Sequence, residues 1–163
     1  MKKISAGIIP YRFRNNALKV FLVHMGGPLW AKKDLGAWSI AKGELEGTED
    51  ALNAARREFK EETGLALEDN LQFIALDPIK QPGGKVIYPY ATQVDLDPGK
   101  VSSNLFRMEW PPRSGKYQEF PEVDRAAWFK ILAARDKMIK GQVGFLDQLE
   151  VLFPCVSNRI DVE

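Results

Sequence analysis

Between Gly43 and Leu65 the chain reads Gly-Glu-Leu-Glu-Gly-Thr-Glu-Asp-Ala-Leu-Asn-Ala-Ala-Arg-Arg-Glu-Phe-Lys-Glu-Glu-Thr-Gly-Leu. No other stretch narrows the choice of fold so far. Thr48 is a good N-cap, and Glu49 and Asp50 put negative charge into a first turn, where the helix dipole favours it. Gly64 suits the left-handed position that ends many helices. The residues between are rich in Ala, Leu, Arg, Glu and Lys, which are good helix formers. Leu52, Ala55 and Phe59 fall on one stripe that should face a core, while Asn53 and Lys60 look outward.

Beside that stripe stand Glu58, Glu61 and Glu62, spaced so that all three point to one side of the helix. Like charges this close cost roughly 0.2–0.5 kcal/mol per pair, a cost that a cation among them would offset. Hard divalent cations, Mg²⁺ above all, take oxygen ligands of this kind. Ala51 and Ala54 share the acidic side and leave room there. Arg57, one turn before Glu61, can pair with it. The same charge run, taken alone, is what a solvated helix face looks like, with surface ion pairs worth little. The preceding residues favour the chemical reading. Trp38-Ser39-Ile40-Ala41 has the character of a short strand, and Lys42 to Gly47 of a glycine-bearing loop. Strand, loop and acidic helix is the order expected of a catalytic loop over a phosphate site.

The segment resembles the Nudix box, whose fixed positions are met by Gly43, Glu49, Arg57, Glu58, Phe59, Glu61, Glu62, Gly64 and Leu65. Phe59 is larger than the usual aliphatic residue. The resemblance implies an α/β (α+β) Nudix fold, a mixed β-sheet sandwiched between α-helices. It also implies hydrolysis of a nucleoside diphosphate linked to another moiety. Glu58, Glu61, Glu62 and the carbonyl of Gly43 would then be ligands of Mg²⁺, or of Mn²⁺ in its place, and Arg57 would bond Glu49 to brace the loop. Glu58 is the first candidate for general base. Glu122, just before a strand, is the second, at a place where members often carry a glutamate that reaches the metals. The Lys42-Gly43 pair is similar to that of diadenosine polyphosphate hydrolases, which suggests a diadenosine polyphosphate or a nucleoside triphosphate as substrate and Lys42 as a phosphate contact. The Ser-Gln-Pro-Trp pattern of NADH-selective members does not follow the box. The competing reading is a non-catalytic Nudix-fold module that senses a nucleotide; its usual mark, loss of a box carboxylate, is missing here.

The 163 residues fit a single domain, 1–163, long enough to bury an ordinary core. A net charge of +1 gives no basis for bulk nucleic-acid or membrane attraction. The apolar run from Ile4 is interrupted by Pro10 and Arg12, too short for a secretory leader, so cytoplasmic residence is expected. The lone cysteine, Cys155, excludes an internal disulfide and reads as an inert thiol. Ile4–Phe13 and Leu18–His24 predict a hairpin. Met25–Gly36 is a loop placed to cover the site. Leu71–Leu76, Lys85–Val94 and Ala126–Lys130 predict strands, and Leu132–Ile139 and Phe145–Leu152 predict helices. Asp97–Pro121 reads as a long loop whose Lys100, Arg107, Arg113 and Lys116 either suit a polyphosphate or, as is more common, form a basic surface loop without a ligand. Tyr88, Tyr90, Phe106, Trp110 and Tyr117 are candidates to stack on a base; Tyr88 and Tyr90, at strand spacing, share a face and read equally as core residues. Core packing is expected of Trp38, and a packing or hydrogen-bonding role of His24, the only histidine.

Overall fold

The computed structural model of the chain describes residues 3–154, so Cys155 lies outside them. Strands β1 (Ile4–Arg14) and β2 (Ala17–Met25) form the expected hairpin, with Arg14 opposite Ala17. Its two turn residues, Asn15 and Asn16, both have positive φ, 52° and 61°. That is the twist-matching turn asparagine tolerates well. Two short strands follow, β3 (Trp38–Ser39) and β4 (Ala41–Glu44), then helix α1 (Ala51–Thr63). After it come β5 (Ile74–Ala75), β6 (Ile79–Lys80) and β7 (Val86–Gln93). The chain continues through β8 (Leu105–Glu109), β9 (Tyr117–Pro121), β10 (Val123–Lys130), α2 (Ile131–Lys137) and α3 (Gly144–Leu152).

The main sheet runs β10-β2-β1-β7-β5, with β3 on β2, β4 beside β1 and β6 on β7. β1 and β7 are parallel and the other pairs are antiparallel, so the sheet is mixed. Alternate residues point to opposite faces of a strand, and the burial follows that rule. Ala6, Ile8, Phe21 and Val23 meet Ala54, Ala55 and Phe59 of α1 on one face. Ile9, Tyr11, Val20 and Leu22 meet Ile131, Phe145, Leu146 and Leu149 of α2 and α3 on the other. The result is a mixed sheet between helices. Phe59 is fully buried, and a side chain of that kind contributes roughly 1.5–3 kcal/mol by leaving water. No helix of the described residues is long and apolar enough to cross a membrane.

Five expectations are corrected. The helix is capped by Asp50, whose carboxylate accepts from the Asn53 amide at 3.2 Å, rather than by Thr48. A turn from Glu46 to Glu49, closed by an amide–carbonyl bond of 3.0 Å, keeps Thr48 and Glu49 outside the helix. Lys42 and Gly43 belong to β4, not to a loop. Ala54 is fully buried in the core instead of leaving space on the acidic side. The stretch 97–121 is not an irregular loop: it holds one 3₁₀ turn (Pro98–Lys100) and the two-stranded β8–β9 hairpin. Of the strand expected over Leu71–Leu76, only Ile74–Ala75 pairs.

Candidate active site

β4 lies antiparallel to β1, with Gly43 opposite Ala6 and Lys42 opposite Gly7. α1 packs over these strands, and its acidic side comes down on β4. Glu58 sits directly against Gly43: a Cβ there would lie 1.9 Å from the Glu58 carboxyl carbon. One turn on, Glu62 accepts a hydrogen bond from the Lys42 amide at 3.2 Å. Gly64 ends the helix in the left-handed conformation, φ 71°.

Arg57 ties the acidic segment together. Its Nε and Nη2 donate to the two oxygens of Glu49, each at 2.9 Å, in the forked geometry that suits guanidinium and carboxylate. Nη1 donates to Glu58 at 2.8 Å and to Glu61 at 3.3 Å, and Nη2 also reaches the carbonyl of Glu44 at 3.1 Å. Both pairings expected of Arg57, with Glu61 and with Glu49, are therefore present. Hydrogen bonding to Arg57 holds the Glu49 carboxyl below its usual range.

Glu58 and Glu62 behave oppositely. Burial raises the Glu58 carboxyl, Arg57 opposes the rise, and the charges of Glu61 and Glu122 add to it. Burial pushes Glu62 up to about 8, against the pull of Lys42, and Glu122 and Glu58 contribute in the same sense. Burial likewise lowers Lys42, with Glu62 opposing. Desolvation thus drives both members of the Lys42–Glu62 pair toward their neutral forms.

Glu122 enters this field through a short connection. The Ser102 and Asn104 amides donate to the carbonyls of Thr63 and Glu61 at 2.8 and 2.9 Å. The Asn104 carbonyl accepts from the Glu122 amide at 3.0 Å, and Ser103 Oγ accepts from the Val123 amide at 3.0 Å. Residues 102–104 therefore bolt the end of α1 to the β9–β10 junction. Gly26 closes the other side: its amide donates to the Glu122 carbonyl at 2.9 Å, and a Cβ on it would lie 1.9 Å from the Pro121 carbonyl oxygen.

The residues singled out from sequence divide as follows. Gly43, Arg57, Glu58, Glu61, Glu62 and Lys42 are assembled at the α1–β4 contact, and Glu122 is near enough for its charge to act on Glu58 and Glu62. Tyr88 and Tyr90 share the α1 face of the sheet, in register with Ala6 and Ile8; Tyr88 is more than a third exposed, and Tyr90 packs against the α1 core. Arg107 turns to the ring of Tyr117, 4.6 Å from its centroid. His24 is fully buried, with Nδ1 2.7 Å from Asp124 and Nε2 donating to the Lys33 carbonyl at 2.5 Å. It fastens the 26–36 loop to β10, the bonding role expected of it. Trp38 is buried in the core. Sequence reasoning missed Ser103, Asn104 and Gly26, which position Glu122; each is meaningful only through a partner far along the chain.

Among the described residues no three His, Cys, Asp or Glu side chains stand in a ready-made metal-holding arrangement. Glu58 and Glu61 are drawn onto Arg57, and Glu62 onto the Lys42 amide. The donor set nonetheless fits a hard cation. It is all oxygen and mutually repelling, and Gly43 keeps its Cβ position clear for a carboxylate.

The sequence pattern of the NUDIX domain matches residues 1–149, and the chain belongs to that family. Its class is that of a Nudix pyrophosphohydrolase, acting on a nucleotide-linked diphosphate. Solved structures share the fold. An Ap4A hydrolase of C. elegans in a binary complex superposes with a TM-score of 0.64 at 18% identity, over 93% of this chain and 98% of that one. The NUDIX domain of Shewanella oneidensis NrtR, complexed with ADP ribose, gives 0.63 at 12% identity, over 93% and 88%. A MutT structure from work on Aliivibrio salmonicida and Vibrio cholerae gives 0.56 at 14%, over 93% and 98%. No curated protein matches the chain in sequence.

Proposed function

We propose that the chain is a Mg²⁺-dependent hydrolase of a diphosphate bond, with a diadenosine polyphosphate or a nucleoside triphosphate as substrate. The observation that carries this reading is the packing of the acidic side of α1 on β4, with Glu58 directly against Gly43 and Glu62 on the Lys42 amide. Glu58, Glu61, Glu62 and the Gly43 carbonyl would hold Mg²⁺, or Mn²⁺, which when bound neutralises the diphosphate and lowers the pKa of a bound water. Glu58, raised by burial, takes the role of general base that removes a proton from the attacking water, with Glu122 as the second candidate. Arg57 fixes the direction of Glu58 and braces the Glu44–Glu49 turn. Lys42 takes the role of phosphate contact, the anion's charge favouring its ammonium form against the burial that lowers it. A single-domain organisation and cytoplasmic residence belong to the same reading. The C. elegans Ap4A hydrolase and the ADP-ribose complex supply the substrate classes to test first.

The test is phosphate or nucleotide release from a panel holding diadenosine polyphosphates, nucleoside triphosphates, ADP-ribose, nucleotide sugars and coenzyme A, with and without Mg²⁺. The Glu61→Gln variant is the control. Metal-dependent hydrolysis of one compound, lost in the variant, is the expected result. Nucleotide binding without hydrolysis of any of them would instead support a non-catalytic nucleotide-binding module.

A further inference from the structure

A cavity of about 290 Å³ opens between the loop after β2 and strand β8. Its walls include Met25, Leu29, Trp30, Phe106 and Met108, and of its lining residues Glu122 alone carries charge. Phe106 and Met108 are two apart on β8 and so point the same way, while the intervening Arg107 lies over Tyr117. The loop and the hairpin touch with no side chain between them, since a Cβ on Gly27 would lie 2.8 Å from Phe106 Cζ. The cavity is thus built jointly by the loop and by the β8–β9 hairpin, and Glu122 borders both it and the carboxylate cluster.

These walls select a ligand by chemistry. A phosphate entering here would meet a carboxylate and no cation. A flat, polarisable ring would meet an indole, a phenyl and two thioethers, which favour such contacts. The volume lies at the small end of ligand sites, roughly 300–1,000 Å³, so it suits one ring system rather than a whole dinucleotide.

We propose that this cavity holds the heteroaromatic base of the substrate nucleotide, with the phosphates passing Glu122 toward Glu58 and Glu62. The proposal rests on the nucleotide reading above. It assigns the base to Trp30, Phe106 and Met108, not to Tyr88 and Tyr90.

The experiment is calorimetric titration of the full chain with adenosine 5′-monophosphate, guanosine 5′-monophosphate and ribose 5-phosphate, none of which carries the scissile bond. At least one nucleotide should bind about tenfold or more tightly than ribose 5-phosphate, the order of one base–aromatic stack. Met108→Trp, which fills the cavity, should erase that difference, and so should Leu29→Glu, an exposed position whose change leaves the core alone. Tyr88→Ala should preserve it. Equal binding of nucleotides and ribose 5-phosphate, binding of neither, or a base preference lost in Tyr88→Ala but kept in Met108→Trp and Leu29→Glu would overturn the proposal. Hydrolysis is read separately: a base preference without Mg²⁺-dependent turnover sinks the hydrolase reading, and turnover without a base preference sinks this one.

Discussion

The Cβ that Gly43 lacks would stand 1.9 Å from the carboxyl carbon of Glu58 and 2.2 and 2.3 Å from its oxygens. The contact is with the far end of a flexible side chain, so the helix and strand can keep their packing if the carboxylate swings away. Gly43→Ala is therefore expected to cost little stability, about 1 kcal/mol or less. It should lower turnover by about 10² or more through misdirection of Glu58. Urea denaturation together with steady-state kinetics distinguishes this outcome from simple unfolding; a variant with full turnover would remove Glu58 from the chemistry.

Arg57 has a different balance, because it is shared by Glu49, Glu58 and Glu61. Arg57→Ala leaves three carboxylates without their common donor and should destabilise the fold by about 1–3 kcal/mol. Arg57→Lys should recover part of this, since a lysine cannot fork between the two oxygens of Glu49. Glu49 is held below its ordinary value by Arg57. Such a group contributes stability above its unfolded pKa, and that contribution is lost as pH falls through the folded one. The acid-side loss of stability should accordingly be steeper in the parent than in Arg57→Ala. Denaturation midpoints collected below about pH 5 test it, and parallel curves would assign Glu49 another partner.

What was legible beforehand was local. Arg57, Glu58, Glu61 and Glu62 fall within six consecutive residues, so helical spacing alone brings them together. Thr48 and Asp50 are both good caps, and the Glu46–Glu49 turn, with Arg57 drawing Glu49 aside, selects Asp50. The β8–β9 hairpin was hidden for another reason. Leu105 and Tyr117 are more than half exposed, so these strands lack a strong buried alternation, and Pro111, Pro112 and Gly115 at their turn read as loop. Glu122 could be suspected but not placed. Its position depends on carbonyls of α1 reaching the amides of Ser102 and Asn104, pairings between segments some forty residues apart.

Ser103 isolates that connection. Its hydroxyl accepts from the Val123 amide at 3.0 Å, and Val123 is 5% exposed. Ser103→Ala would leave this amide without its partner, at about 1–3 kcal/mol, and release the backbone that carries Glu122. Turnover should fall by about tenfold with KM little changed, while Ser103→Thr, which keeps the hydroxyl, should retain most activity. Unchanged kinetics in the alanine variant would show that Glu122 needs no such support, or takes no part.

Glu62 links stability to function most directly. Its carboxyl is pushed up to about 8 in the folded chain, against an ordinary 4.5 when unfolded, chiefly by burial. Between those values the folded protein keeps a proton that the unfolded chain has lost, so stability falls as pH rises through the window. Burial of Glu58 acts in the same direction. In chelator, the urea midpoint of the parent should drop from about pH 5 to about pH 8. Glu62→Gln, which cannot ionise, should drop less and be the more stable protein at the upper end. Saturating Mg²⁺ should flatten or reverse the parent's slope, because a cation favours the ionised carboxylates, and should affect the glutamine variant less. The variant should also lose turnover by about 10² or more. A glutamine variant that kept the parent's full pH slope would show that the titrating group lies elsewhere. One that gained stability and kept its activity would remove Glu62 from the proposed metal ligands.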